Sequence, residues 1–195
     1  MADRFHGAIP AMVTPFDSNF QLDEDRIREL IEGYLAAGVH GISVAGSQGE
    51  FFMLKNEERL RLIEIAVATV NKRVPVYAGT GAVTTSETIE LTNAAESLGA
   101  DIALLITPYF IQPNDEELFE HYGAVSAATK LPLLLYNNPP RTSVNISVPL
   151  FARCATLDNI AGIKDSSGDL TQFAEYMRTT GGNKLGFSGR DTLTL

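Results

Sequence analysis

The sequence predicts an α/β fold of the (β/α)8 TIM-barrel class, and three observations carry that prediction. Seven short apolar runs rich in branched residues, at 8–15, 41–46, 74–79, 101–107, 131–136, 160–164 and 184–187, recur at intervals of about thirty residues. Segments of helical period lie between them. Polar residues gather at the carboxyl ends of the runs: Thr14, Ser47, Tyr109, Tyr136, Lys164 and Ser188. Strands apolar on both faces that alternate with helices imply a parallel sheet covered by helices. In a barrel the carboxyl ends of such strands converge on one mouth, where active sites are built.

In chain order, the first run ends at Thr14-Pro15-Phe16, and a first helix is expected after Asp23, with Ile27, Leu30, Ile31 and Tyr34 on one face. A second helix follows 41–46, capped by Asn56 ahead of Glu57-Glu58, with Leu60, Leu62, Ile63, Ile65 and Ala66 as its apolar positions. Thr85 or Ser86 should start a third, carrying Ile89, Leu91, Ala94 and Ala95. The acidic run Asp115-Glu116-Glu117 reads as the first turn of a fourth, with Leu118, Phe119, Tyr122 and Val125 facing inward. The open doubly wound sheet is the competing architecture. It should show G-x-G-x-x-G after its first strand, but that strand lacks a glycine-rich turn, and Gly79-Thr80-Gly81 after the third lacks the last glycine. A closed barrel needs eight strands, whereas residues 1–195 supply seven units and stop at Thr192-Leu193-Thr194-Leu195, near the start of a seventh helix. The expectation is one barrel domain over 1–195, ending before the eighth strand: a fragment, or a chain whose last unit is lost or supplied by another chain.

Composition narrows the function classes. With 45% hydrophobic and 8% aromatic residues the 195-residue chain can bury one substantial core. Fifteen basic against 24 acidic residues, a formal charge of -9, argue against nucleic-acid or anionic-membrane partners. Cys154 is the lone cysteine, which excludes an internal disulfide and fits a small core hydrophobe in Leu150-Phe151-Ala152-Arg153-Cys154. The start Met1-Ala2-Asp3-Arg4-Phe5-His6-Gly7 lacks a signal-peptide stretch and no segment approaches a membrane span, so a cytoplasmic location is expected.

The candidate chemistry centres on Lys164. It ends the run Ile160-Ala161-Gly162-Ile163 and precedes Asp165-Ser166-Ser167-Gly168, a buried strand emptying into a loop. An ammonium group beside an apolar core is expected to have a lowered pKa, which frees the amine as a nucleophile; the plainer alternative is a snorkelling lysine or a pair with Asp165. Gly46-Ser47-Gln48-Gly49-Glu50 can bring backbone amides close to a carboxylate and place a hydroxyl beside them. Tyr136 can serve as general acid or base beside an amine, and Pro139-Pro140 would stiffen the loop that directs Arg141, whose fork can grip a carboxylate. Arg190 could enter the mouth to select an acidic substrate, and Asp165 reads as the start of a turn. His6, His40 and His121 are too scattered along the chain to suggest a metal site.

Together Gly46-Ser47-x-Gly49-Glu50, Thr107-Pro108-Tyr109, Tyr136-Asn137-x-Pro139-x-Arg141-Thr142, Gly162-Ile163-Lys164-Asp165 and Ser188-Gly189 resemble the dihydrodipicolinate synthase and N-acetylneuraminate lyase family in order and spacing. The resemblance implies a class I aldolase-type reaction in which Lys164 forms an imine with pyruvate and no metal or diffusible cofactor takes part. It implies that Tyr136 shuttles protons, that Ser47 connects to it, and that the amides of Ser47 and Gln48, with Gly46, hold the pyruvate carboxylate. Arg141 would recruit the carboxylate of aspartate semialdehyde in the synthase branch. Tyr109 would line the substrate site. The partners implied are pyruvate and an aldehyde, with a homo-oligomer, dimer or tetramer, in which Tyr109 and Phe110 approach a subunit contact. Two departures bear on the branch: Ser47 and Gln48 stand where synthases carry neighbouring threonines, and Phe110 stands where a second tyrosine is usual. A 2-oxo acid aldolase such as 4-hydroxy-2-oxoglutarate aldolase or N-acetylneuraminate lyase is the alternative. A non-catalytic truncated barrel, acting as a binding or assembly module, is the reading from another class.

Overall fold

The computed structural model describes residues 4–193, and six of the seven apolar runs are strands there. These are β1 (Ile42–Val44), β2 (Val76–Gly79), β3 (Ile102–Ile106), β4 (Leu133–Asn137), β5 (Ile160–Asp165) and β6 (Leu185–Ser188). All pair in parallel and in sequential order, as barrel strands do. The first run departs from expectation. It meets β1 only at the single bridge Ala11↔Ser43, flanked by Ser43 N–H donating to Pro10 O (3.0 Å) and Met12 N–H to Ser43 O (2.9 Å). Pro10 has no N–H to give, so the ladder cannot extend toward the amino end.

Helices α1 (Glu24–Ala36), α2 (Asn56–Val70), α3 (Thr85–Leu98), α4 (Asp115–Ala128), α5 (Pro139–Thr142), α6 (Val148–Cys154) and α7 (Leu170–Thr179) follow the strands. Asp23 caps α1 as expected, its carboxylate accepting from Arg26 N–H. Asn56 is instead the first residue of α2 and donates to Glu87 (3.0 Å), while Glu58 takes the Lys55 N–H. Thr84, one residue earlier than expected, caps α3. The Pro139-Pro140 segment is a helical turn, with proline at the position where a missing N–H is harmless. Cys154 closes α6 fully buried, and burial pushes its thiol up to about 12. Thr194 and Leu195, part of the expected seventh-helix start, lie outside the described residues, as do Met1, Ala2 and Asp3. Among the described residues no helix is long and apolar enough to cross a membrane.

Alternation along the strands sorts the core into two clusters. Val44, Val76, Ala103, Leu105, Leu133 and Leu135 point outward to pack under the helices with Ile31, Leu62 and Tyr122. Tyr77, Leu104, Ile106, Leu134 and Tyr136 point inward to fill the barrel. One irregularity decides what β5 presents. Its register against β4 jumps from Leu133↔Ile160 to Leu134↔Gly162, so Ala161 is an extra residue. Had the register run on unshifted from Leu133↔Ile160, Lys164 would stand opposite Asn137 on the outward face; with the shift it pairs with Tyr136 and shares its inward face.

Candidate active site

The mouth of the barrel is a cavity of about 590 Å³ lined by Ser47, Gln48, Tyr136, Arg141, Lys164 and Ser188, six positions singled out from the sequence, with Gly46 beside them. Register places Tyr136 and Phe187 on either side of Lys164. The lysine is half-buried, its Nζ lies 4.4 Å from the centroid of the Tyr136 ring, and no hydrogen bond ties that amine among the described residues. Gly189 makes room for it, since a Cβ there would overlap Ser166 Oγ and stand 3.2 Å from Lys164 Cε.

Ser47 to Gly49 form a 3-10 turn after β1, between Ala45 and Glu50, both at φ 53°. Left-handed backbone at two non-glycine residues costs about 1 kcal/mol each, so the turn must be held. Thr14 Oγ1 donates to Gly49 O at 2.7 Å and supplies part of that hold. Ser47 and Tyr136 share the cavity wall, but Ser47 Oγ makes no hydrogen bond to the phenol among the described residues.

Two residues overlooked in the sequence hold the phenol instead. Asn138 Nδ2 donates to Tyr136 Oη at 2.9 Å, and Ser166 Oγ stands 3.4 Å from it. Asn138 occupies a variable place inside one motif and Ser166 follows directly after another, so their signal was only adjacency. Asn137 was overlooked too: buried at the end of β4, its Nδ2 reaches Asp165 Oδ1 (2.8 Å) and Asn145 Oδ1 (2.9 Å), and its Oδ1 accepts from Ile146 N–H (2.9 Å). Asp165 accepts from Asn137 and from the amide and hydroxyl of Ser167 rather than pairing with Lys164, which makes it the organiser of the following turn.

Arg141 is exposed on α5 and forms no ion pair among the described residues, leaving its fork available at the rim. Arg190 also lines the cavity, but its guanidinium is tied back to Ser166 O (3.3 Å) and Ser167 O (3.2 Å). Tyr109 is not among the residues of the Lys164 cavity: it packs edge-on against Phe51 at 5.6 Å, and burial raises its pKa. Phe110, at φ 74°, projects outward and is 94% exposed. His6 and His40, distant along the chain, have rings 5.0 Å apart at the opposite end of the barrel, and no group of three His, Cys, Asp or Glu among the described residues could hold a metal ion. His121 is buried on α4, its Nδ1 2.9 Å from Thr85 Oγ1, and desolvation lowers its pKa to about 4.

Comparison with known proteins places the fold and the family. The family model described as the dihydrodipicolinate synthetase family matches residues 4–195. A 4-hydroxy-tetrahydrodipicolinate synthase of Thermodesulfovibrio yellowstonii is 46% identical over 191 residues, which cover 98% of this chain and 65% of that protein. One from Geotalea uraniireducens is 47% identical over 190 residues, covering 97% and 65%. Among solved structures, dihydrodipicolinate synthase from Acinetobacter baumannii complexed with pyruvate superposes with a TM-score of 0.92 at 42% identity, covering 94% of this chain and 63% of that one. The Aquifex aeolicus enzyme gives 0.96 at 36% identity, covering 98% and 65%. The chain thus spans about 65% of the length of these curated relatives.

Proposed function

The chain belongs to the dihydrodipicolinate synthetase family, and from that premise we propose that it makes or breaks a carbon–carbon bond next to pyruvate through an imine at Lys164. The observation that carries this reading is the Tyr136↔Lys164 register pair, with an untethered amine over the phenol ring and facing the cavity. In the proposed sequence Nζ adds to the keto carbon of pyruvate, and loss of water leaves a cationic imine. Electron withdrawal into that imine lets a base remove a methyl proton, and the resulting enamine attacks an aldehyde. Water then releases the product and restores the amine. Tyr136, oriented by Asn138 and Ser166, is the proton carrier. The amides of Ser47 and Gln48 receive the pyruvate carboxylate, and Arg141 receives that of the second substrate.

The specific reaction we assign is condensation with aspartate semialdehyde to 4-hydroxy-tetrahydrodipicolinate, supported by the relatives of that name. Cleavage of a 4-hydroxy-2-oxo acid is the second reading. Phe110 favours it, because a phenyl ring cannot extend a proton relay and here stands 94% exposed. We read the chain as one barrel domain that self-associates through the exposed side chains Phe52, Met53, Phe110 and Ile111. Purified protein should consume aspartate semialdehyde only when pyruvate is present. Release of pyruvate from 4-hydroxy-2-oxoglutarate without that condensation would select the aldolase branch, and neither activity together with no pyruvate adduct would defeat the proposal.

A further inference from the structure

Arg59 is buried to 3% exposure on the inner side of α2, and among the described residues no carboxylate lies within ion-pair distance of it. Its Nη2 donates to Gly79 O (2.9 Å) and Gly81 O (3.0 Å), the carbonyls where β2 ends. The guanidinium lies over Phe51, 5.1 Å from the ring centroid, and its Nε is buried without a partner. Glu87 and Tyr109 act on it only from beyond contact, and desolvation is the dominant influence on it, lowering its pKa. Arg61, Arg73 and Arg153 show the ordinary alternative, since each is solvent-exposed and sits 2.6–2.9 Å from a carboxylate. An uncompensated buried charge is strongly unfavourable, so a fold that keeps one needs a counter-charge from elsewhere.

The surroundings say where that counter-charge comes from. Arg59 shares a small cavity of about 10 Å³, room for about one water, with Gly46, Ser47, Phe51 and Tyr136. Gly46, Ser47 and Tyr136 also line the large cavity that holds Lys164. Arg59 therefore stands directly behind the turn that fronts the mouth, and with little water between them its field reaches the mouth weakly screened. Its stack on Phe51 braces the far end of that turn, and its two hydrogen bonds fix the end of β2, where Gly79 packs against the Ala45 carbonyl, so the turn with left-handed backbone at Ala45 and Glu50 is held from both sides.

We infer that Arg59 is the positive pole of the site, a positioning residue that braces the Ser47 turn and favours a carbonyl substrate bearing a carboxylate over an uncharged one. The inference rests on the imine reading above. Its test compares pyruvate with acetone, a methyl ketone of similar reach without the carboxylate, by the rate at which cyanoborohydride traps each on the protein. Arg59→Met keeps most of the side-chain length and removes the charge; Arg59→Lys keeps the charge and loses the fork. Arg59→Met should slow pyruvate trapping about tenfold or more while acetone trapping stays within about twofold, and Arg59→Lys should restore most of the pyruvate preference. A circular-dichroism melt checks folding, and Arg59→Gln takes the place of Arg59→Met if the latter does not melt cooperatively. Equal slowing of both ketones, as a purely structural role predicts, overturns the inference, and so does an unchanged ratio. Wild-type protein that traps acetone but not pyruvate overturns the charge assignment alone, whereas wild type that traps neither overturns the imine reading and this inference with it.

Discussion

The two ends of the β5–β6 pair each carry a partly buried lysine, and the two differ in what holds the amine. At the amino end, Lys184 donates to Ile160 O at 2.6 Å, and burial lowers its pKa. At the carboxyl end, Lys164 has no hydrogen bond to its amine among the described residues and looks into a cavity of about 590 Å³ over the Tyr136 ring. Desolvation alone therefore does not mark the lysine proposed to react. An amine tied by no hydrogen bond, pointed at space for a carbonyl and placed beside a phenol, is the better mark. The floor of the barrel has basic side chains in plenty, Arg4, His6, His40, Lys72 and Arg73, but the phenol and the loop amides belong to the mouth.

The comparison breaks most decisively by removing one lysine at a time. Lys164→Ala should abolish the reducible pyruvate adduct while changing stability by no more than about 1 kcal/mol. Lys184→Ala should keep the adduct and lose stability instead, as Ile160 O gives up its partner, visible in a denaturant melt. Next in size, Gly162→Ala forces a Cβ into the carbonyl of Leu185 and should prise β6 from β5, lowering unfolding free energy by about 3 kcal/mol or more and weakening both ends at once. Tyr136→Phe keeps the ring under Lys164 but deletes the proton carrier, so turnover should fall about a hundredfold or more with the melt little changed. Asn138→Ala frees the phenol without deleting it and should cost turnover less, about tenfold.

Histidines repeat the contrast between buried and exposed ends at a smaller scale. His121 is held neutral with a pKa of about 4, against about 6.5 in the unfolded chain. As pH falls from about 6.5 toward 4 the unfolded chain gains a proton that the folded one refuses, so stability is lost across that window, by about 2 kcal/mol after allowance for relaxation. Above pH 6.5 both states are neutral at this residue and the contribution is constant. In His121→Gln that portion of the acid slope should disappear, as read from urea melts at pH 7 and pH 4.5.

The strand–helix rhythm was legible because strands buried on both faces leave continuous apolar runs and helices leave period-3.6 spacing, and Tyr136, Lys164, Ser47 and Arg141 stood out because they sit at or just past strand ends within a recognisable motif order. What escaped were features set by pairing. The extra residue Ala161, which turns Lys164 inward, is invisible until β4 and β5 are aligned. Asn138 and Ser166 matter because they meet one phenol oxygen from two loops, and Pro10 limits the first run to one bridge through a missing donor that apolar content does not reveal. His6 and His40, far apart in sequence, meet at the floor for the same reason. Arg59, which nothing in the sequence singles out, stands out only once its burial and empty Nε are known.

The most direct test of the account is peptide mapping after cyanoborohydride reduction in the presence of pyruvate. A single pyruvyl adduct on the peptide carrying Lys164, with none on the peptide carrying Lys184, is the predicted result. An adduct on Lys184, or on no lysine, would contradict it.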